Sequence, residues 1–159
     1  MASPKPVAPT APLRLHALDA EDLQLISAHL QDALLRVGDL AYLPEEKRFA
    51  LVASRFDWTA QTRGHLERCR TGVHFETVRS ARFKGVPRDR PDEMLSLLAI
   101  YFEPGEILPE GRIRLVFSGD AAILLEVDCI EAQLCDLGPR WAVANCPTHK
   151  LDEGAAPGS

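Results

Sequence analysis

The chain has 159 residues, 46% of them apolar and 26% charged, with a formal net charge of −5. These are globular values, which exclude collagen, a coiled coil, wholesale disorder and a basic nucleic-acid tail. A chain of this length forms one domain of ordinary size and buries roughly 70% of its unfolded surface, so it needs no metal or disulfide staple.

Residues 1–12 scatter Pro4, Pro6, Pro9 and Pro12 among Ala, Ser and Thr, the composition of a disordered leader without the apolar stretch of a signal peptide. Leu13, Leu15 and Ala17 alternate with Arg14 and His16, the period of a short strand. Asp19 then precedes Ala20, Glu21 and Asp22. Its carboxylate suits an N-cap, and the acids behind it suit the positive end of a helix dipole. Leu23, Ile26, Leu30, Ala33 and Leu34 recur at helical spacing and predict a helix over 20–34.

Leu35, Val37, Leu40 and Tyr42 predict one strand with a bulge at Gly38-Asp39. Beyond the turn at 44–47, strands are predicted at 48–56, 72–83 and 94–102, the last apolar on both faces and therefore central. Pro104, Gly105, Pro109 and Gly111 punctuate a loop. The clearest hairpin joins 112–118 to 121–128 through Ser118-Gly119-Asp120. Ile130, Leu134 and Leu137 share a helical face that Gly138-Pro139 would end, so a short helix is predicted over 130–137. Residues 146–159 read as a disordered tail, leaving a single domain at 13–145.

Consecutive strands without helices between them imply α+β architecture. The expected fold is a curved, mainly antiparallel sheet or half-barrel of six to seven strands, with one N-terminal and one short C-terminal helix. A pleckstrin-homology-like barrel is one candidate topology.

Charge is uneven. Residues 55–90 carry nine basic against four acidic residues, a net +5, and leave −10 for the rest. Such a dipolar surface favours an acidic partner. The leading reading is a cytoplasmic, non-enzymatic adaptor or regulatory domain that presents Arg55, Trp58, Arg68, Arg70, Arg79 and Arg82 to an acidic protein. A solvated, Arg-rich surface accounts for the same run without any partner. The acidic total argues against non-specific nucleic-acid binding, and no apolar run is long enough to span a bilayer as a helix. A second reading is a small-ligand-binding or catalytic domain with a pocket near Cys69, His74 and Arg79 at the open end of the sheet. A third is a homodimer paired through a sheet edge.

Candidate chemistry is thin. Cys129, Cys135, Cys146 and His149 have zinc-ligand chemistry but lack the usual close cysteine pair. Cys69 lies between Arg68 and Arg70, whose charge lowers a thiol pKa, and His65 would be a base if the segment were helical. An exposed thiol beside a strand is the plainer reading. Asp128, Glu131 and Asp136 offer carboxylates for a hard cation or acid–base work, yet a helix dipole explains them equally. His29 and Asp32 can pair on the polar face of the N-terminal helix. Phe56-Asp57-Trp58 and Trp141 suit either a partner anchor or a cap on the core. No phosphate loop, dinucleotide fingerprint, nucleophile elbow or zinc-protease helix is present, so no cofactor is expected.

Several segments carry a resemblance: Leu18-Asp19-Ala20-Glu21-Asp22-Leu23 with the helix after it, Gly38-Asp39-Leu40-Ala41-Tyr42-Leu43-Pro44, and Arg48-Phe49-Ala50-Leu51 leading to Arg55-Phe56-Asp57-Trp58. Leu95-Ser96-Leu97-Leu98-Ala99-Ile100 and the stretch from Val127 through Leu134 to Asp136-Leu137-Gly138 complete the set. Together, over nearly all of 13–145, they resemble a family of small alphaproteobacterial proteins labelled only as a domain of unknown function. Its members tend to be encoded near histidine-biosynthesis and cell-wall-precursor genes, which implies company rather than an activity. The resemblance brings no catalytic residue, cofactor or partner.

Overall fold

A computed structural model describes residues 12–62 and 64–147. The expected leader and most of the expected tail lie outside the described residues, as does His149. The chain runs β1 (Arg14–Ala17), α1 (Ala20–His29), β2 (Ala33–Arg36), β3 (Leu40–Leu43), β4 (Arg48–Phe56), α2 (Trp58–Thr62), β5 (Glu67–Phe75), β6 (Val78–Lys84), β7 (Met94–Pro104), β8 (Gly111–Phe117), β9 (Ala122–Val127) and β10 (Ala132–Ala142). All ten strands join one antiparallel sheet in the order β1-β10-β5-β4-β2-β7-β8-β9-β6, with β3 beside β4 off that path.

The protein is therefore mostly β, and the expected sheet of six to seven strands with a C-terminal helix is overturned. The sheet does not close, so the pleckstrin-homology-like barrel goes with it. Four local differences account for most of this. The helix begins as expected, with Asp19 accepting from the Asp22 amide at 2.8 Å, but it ends at His29 rather than 34. Asp32 takes a left-handed conformation (φ 62°), which a continuing helix cannot hold, and the chain leaves as β2. Ala33 fits both periods; on β2 it and Leu35 point inward and Leu34 and Arg36 outward.

The segment 130–137 is strand, not helix. Ala132, Leu134 and Asp136 are buried while Gln133 and Leu137 are exposed, a period of two. β10 lies between β1 and β5, so backbone pairing on both edges outweighs the helical spacing of three apolar residues. Gly138-Pro139 sits in a register shift between Asp136 and Arg140 instead of closing a helix. The run 72–83 divides into β5 and β6 at Thr77, whose φ of 58° turns the chain. The run 35–42 divides into β2 and β3 around a 3-10 turn, Val37–Asp39.

Other expectations hold. β8 and β9 form the expected hairpin around Gly119 (φ 75°), and β7 lies inside the sheet between β2 and β8. The core is one cluster. Leu23, Ile26 and Leu30 of α1 meet Leu97 and Ile100 of β7, Phe49 and Leu51 of β4, and Ile113, Leu115 and Phe117 of β8. Ser27 ties α1 to β7 by accepting from the Ile100 amide at 2.9 Å. No helix among the described residues is long and apolar enough to cross a membrane.

Candidate functional site

The buried face of β4, β5 and β10 changes character along its length. Ladder pairing sets Phe49 beside Phe75 and Ala132, then Leu51 beside Val73 and Leu134, two apolar rows. The next row is Ala53, Thr71 and Asp136, and the next is Arg55, Cys69 and Arg140. The strand period of two puts these polar residues on the core face.

Arg55 is 2% exposed and Asp136 7%. Arg55 donates from Nε and Nη2 to the two carboxylate oxygens of Asp136, each at 2.8 Å. Thr71 Oγ1 donates to the same carboxylate at 2.8 Å, and the Leu13 amide donates to it at 3.0 Å. Burial acts to raise the Asp136 pKa. The bonds from Arg55, Leu13 and Thr71 outweigh it and hold the carboxyl at about 2. Arg140 bonds Asp57 and Glu67 and comes within 3.6 Å of Asp136. Asp57 also accepts from the Ala60 amide at 2.9 Å, capping the first turn of α2. Burial would raise its pKa too, but the Ala60 amide and Arg140 bring it below the usual value.

This cluster has the chemistry of a clamp. Apart from the local Asp57–Ala60 cap, the bonds just named join distant segments: the residue before β1 to β10, β4 to β10, β5 to β10, and the start of α2 to β10. Nearby, burial and then the Arg55 charge lower the His29 pKa, which keeps that imidazole neutral over a wider pH range. His29 is the last residue of α1, so it shares no helical face with Asp32. Cys69 is neither an exposed nor an activated thiol. It is 1% exposed, and burial and then Asp136 raise its pKa. Strand alternation sends Arg68 and Arg70 to the opposite face, and His65 precedes β5 outside any helix.

The six residues expected to meet a partner do not form one face. Arg55 is in the clamp. Trp58 is half-buried, packs edge-on against Phe56 at 4.7 Å and donates from Nε1 to the Gln31 carbonyl at 3.1 Å, so it caps the core. Arg68 donates to the Ser54 carbonyl at 2.8 Å. Arg70 is exposed on the outer face of β5. Arg79 and Arg82 lie on β6, where Arg79 pairs with Asp128 at 3.1 Å and Glu110 at 3.4 Å, and Arg82 stands 4.0 Å from Glu126. Trp141 is half-buried opposite Arg68.

The other groupings also separate. Cys129 neighbours Thr77, Cys135 pairs in register with Arg14 and Gly72, and Cys146 is 3.7 Å from Gln61. Among the described residues no three of His, Cys, Asp and Glu converge on a metal position. Asp128 pairs with Arg79 while Asp136 is in the clamp, so the acidic set does not assemble. His74 bonds Glu76 at 2.6 Å on the face of β5 opposite Cys69, which separates the two members of the expected pocket.

What the sequence did not reveal is a seam. Among the described residues β3 pairs only with β4 and β6 only with β9, and both strands line one groove of about 430 Å³. The strands start together, where the Val78 amide donates to the Lys47 carbonyl at 2.8 Å, and Tyr42 Oη donates across to the Arg79 carbonyl at 3.2 Å. Leu40, Tyr42 and Phe83 make the walls apolar, and Phe83 packs against Phe49 of the core at 6.1 Å. The loop 85–93 overhangs the groove, held by the Gly38 amide donating to the Pro91 carbonyl at 2.8 Å. From that loop the Arg88 guanidinium sits 4.1 Å above the Phe83 ring. Arg82 and Lys84, both exposed, flank it on β6.

No curated protein and no solved structure matches the chain. A family model described as "Protein of unknown function (DUF2948)" matches residues 13–149, which include the whole of the expected domain at 13–145, and the chain belongs to that family.

Proposed function

We propose that the protein is an interaction domain that takes an extended acidic segment of a partner protein into the seam between β3 and β6. One observation carries this reading: among the described residues two strand edges without ladder partners border the same groove, Arg88 is the cation in its lining, and Arg82 and Lys84 stand on the outer face of β6 on either side of Phe83. An exposed strand edge offers a row of backbone donors and acceptors, and an added strand satisfies them. The apolar walls receive alternate side chains of that strand, and the cations select acidic residues between them. The reading keeps the acidic partner but moves its seat. Arg55, Trp58 and Arg68 support the fold, and Arg82, Lys84 and Arg88 take the contact.

The test is titration of the full chain with an alternating Glu–Val peptide, followed by calorimetry at two salt concentrations. Wild type is expected to bind in the micromolar range, more weakly at higher salt. Arg82→Glu with Arg88→Glu is expected to lower affinity by about tenfold or more, while Arg70→Glu, on the outer face of β5, leaves it unchanged. Binding that is absent in wild type, or equally strong in the charge-reversed chain, overturns the assignment.

A further inference from the structure

The most exposed large apolar side chains among the described residues are Leu108 (71%) and Ile107 (69%), side by side in the loop 105–110 between β7 and β8. The loop is shaped rather than loose. The Gly105 amide donates to the Glu110 carbonyl, and the Glu110 amide to the Ile107 carbonyl, both at 2.9 Å. Gly111 closes its base under Phe102, where a Cβ would lie 2.3 Å from the ring. A hydrogen-bonded turn that holds two adjacent aliphatic side chains in water marks a contact surface. Its flanks are acidic: Glu103, Glu106 and Glu110.

The seam has the complementary chemistry, with apolar walls at Leu40, Tyr42 and Phe83 and a cation at Arg88. The two surfaces also adjoin along β6. Arg79 accepts from Tyr42 in the seam through its carbonyl and pairs with Glu110 of the loop through its guanidinium. A two-fold axis beside β6 that set each copy's loop in the other's seam would cover both patches at once, the closed arrangement of an isologous dimer.

We infer that the 105–110 loop of a second copy of this chain occupies the seam in the free protein, seating Ile107 and Leu108 against Phe83 and Tyr42 with Glu106 beside Arg88. This rests on the seam being a docking site, and it adds that an acidic partner must displace a second copy to bind.

The test is sedimentation equilibrium on the full chain over a wide concentration range. Wild type is expected to be a dimer that dissociates on dilution. Ile107→Asp with Leu108→Asp is expected to be monomeric throughout. Glu106→Arg and Arg88→Glu are each expected to weaken dimerisation about tenfold, and the two together in one chain to restore most of the loss. A wild-type chain that is monomeric at all concentrations, or a dimer indifferent to the loop variant, overturns the inference. A dimer lost in the loop variant but unmoved by Arg88→Glu also overturns it, because the loop then has another seat. The Glu–Val peptide separates the two claims. A monomeric wild type that still binds it through Arg82 and Arg88 refutes the dimer alone, and a wild type that neither binds it nor dimerises refutes the seam itself.

Discussion

Four strand positions along the buried face of β4 and β5 compare apolar and ionic solutions to the same packing problem. At one end Phe49 lies against Phe75, with Leu51 and Val73 next in line; at the other Arg55 lies against Cys69 with Asp136 and Arg140 alongside. Backbone pairing is continuous through both ends, so the contrast is in the side chains. The apolar end is held by non-directional burial, which tolerates replacement by residues of similar volume. The ionic end is held by directed bonds whose members depend on one another. Each charge there is tolerable in a buried site because the opposite charge is present.

The largest expected effect comes from breaking the ionic end. Asp136→Ala leaves Arg55 buried with only the Asp57 carboxylate, 4.0 Å away, to balance it, and urea unfolding should show a loss of about 3 kcal/mol. Replacing both partners, Arg55→Met with Asp136→Leu, makes this end resemble the other and should recover most of that loss. A double variant no more stable than Asp136→Ala would show that Thr71 and the Leu13 amide, left facing leucine, matter more than the charge pair.

Acid sharpens the same comparison. The Asp136 carboxyl titrates at about 2 in the folded protein against an ordinary 3.8. A depressed carboxyl stabilises the fold fully above its ordinary pKa, and the contribution is lost as pH falls through about 4 towards 2. It amounts to on the order of 2 kcal/mol. The stability gap between wild type and the double variant should therefore shift against wild type by that amount between pH 5 and pH 2. A gap independent of pH would remove the charge pair from the account.

The smallest effect is at the rim. Asp57→Ala removes the cap on α2 and one partner of Arg140, while Glu67 still holds that guanidinium. A loss of about 1 kcal/mol in the unfolding free energy is expected. A loss as large as that of Asp136→Ala would mean that the clamp extends through α2 rather than ending at it.

Local chemistry made part of this legible. Asp57 three residues before Ala60 is a cap pattern of the same kind as Asp19 before Asp22, but the aromatic residues on either side of it drew the reading towards a contact surface. An arginine among alternating apolar residues, as in Phe49, Leu51, Ala53, Arg55, was a signal that Arg55 faces the core. The net charge of a segment treats every arginine as solvated, so it could not show that Arg55 and Arg79 are already paired within the fold.

By itself the sequence determined what depends on neighbours in the chain. It set the Asp19 cap, the β8–β9 hairpin, the alternation of β4, the central place of β7, and the apolar and charged character of each segment. Only the tertiary structure decided what depends on distant partners. It ended α1 at His29, turned 132–142 into a strand between β1 and β5, joined Arg55 to Asp136 across 81 positions, and left β3 and β6 facing one groove. The physical reason is that a cap or a turn is satisfied within a few residues, whereas a strand edge and a buried charge have no partner until another part of the chain supplies it.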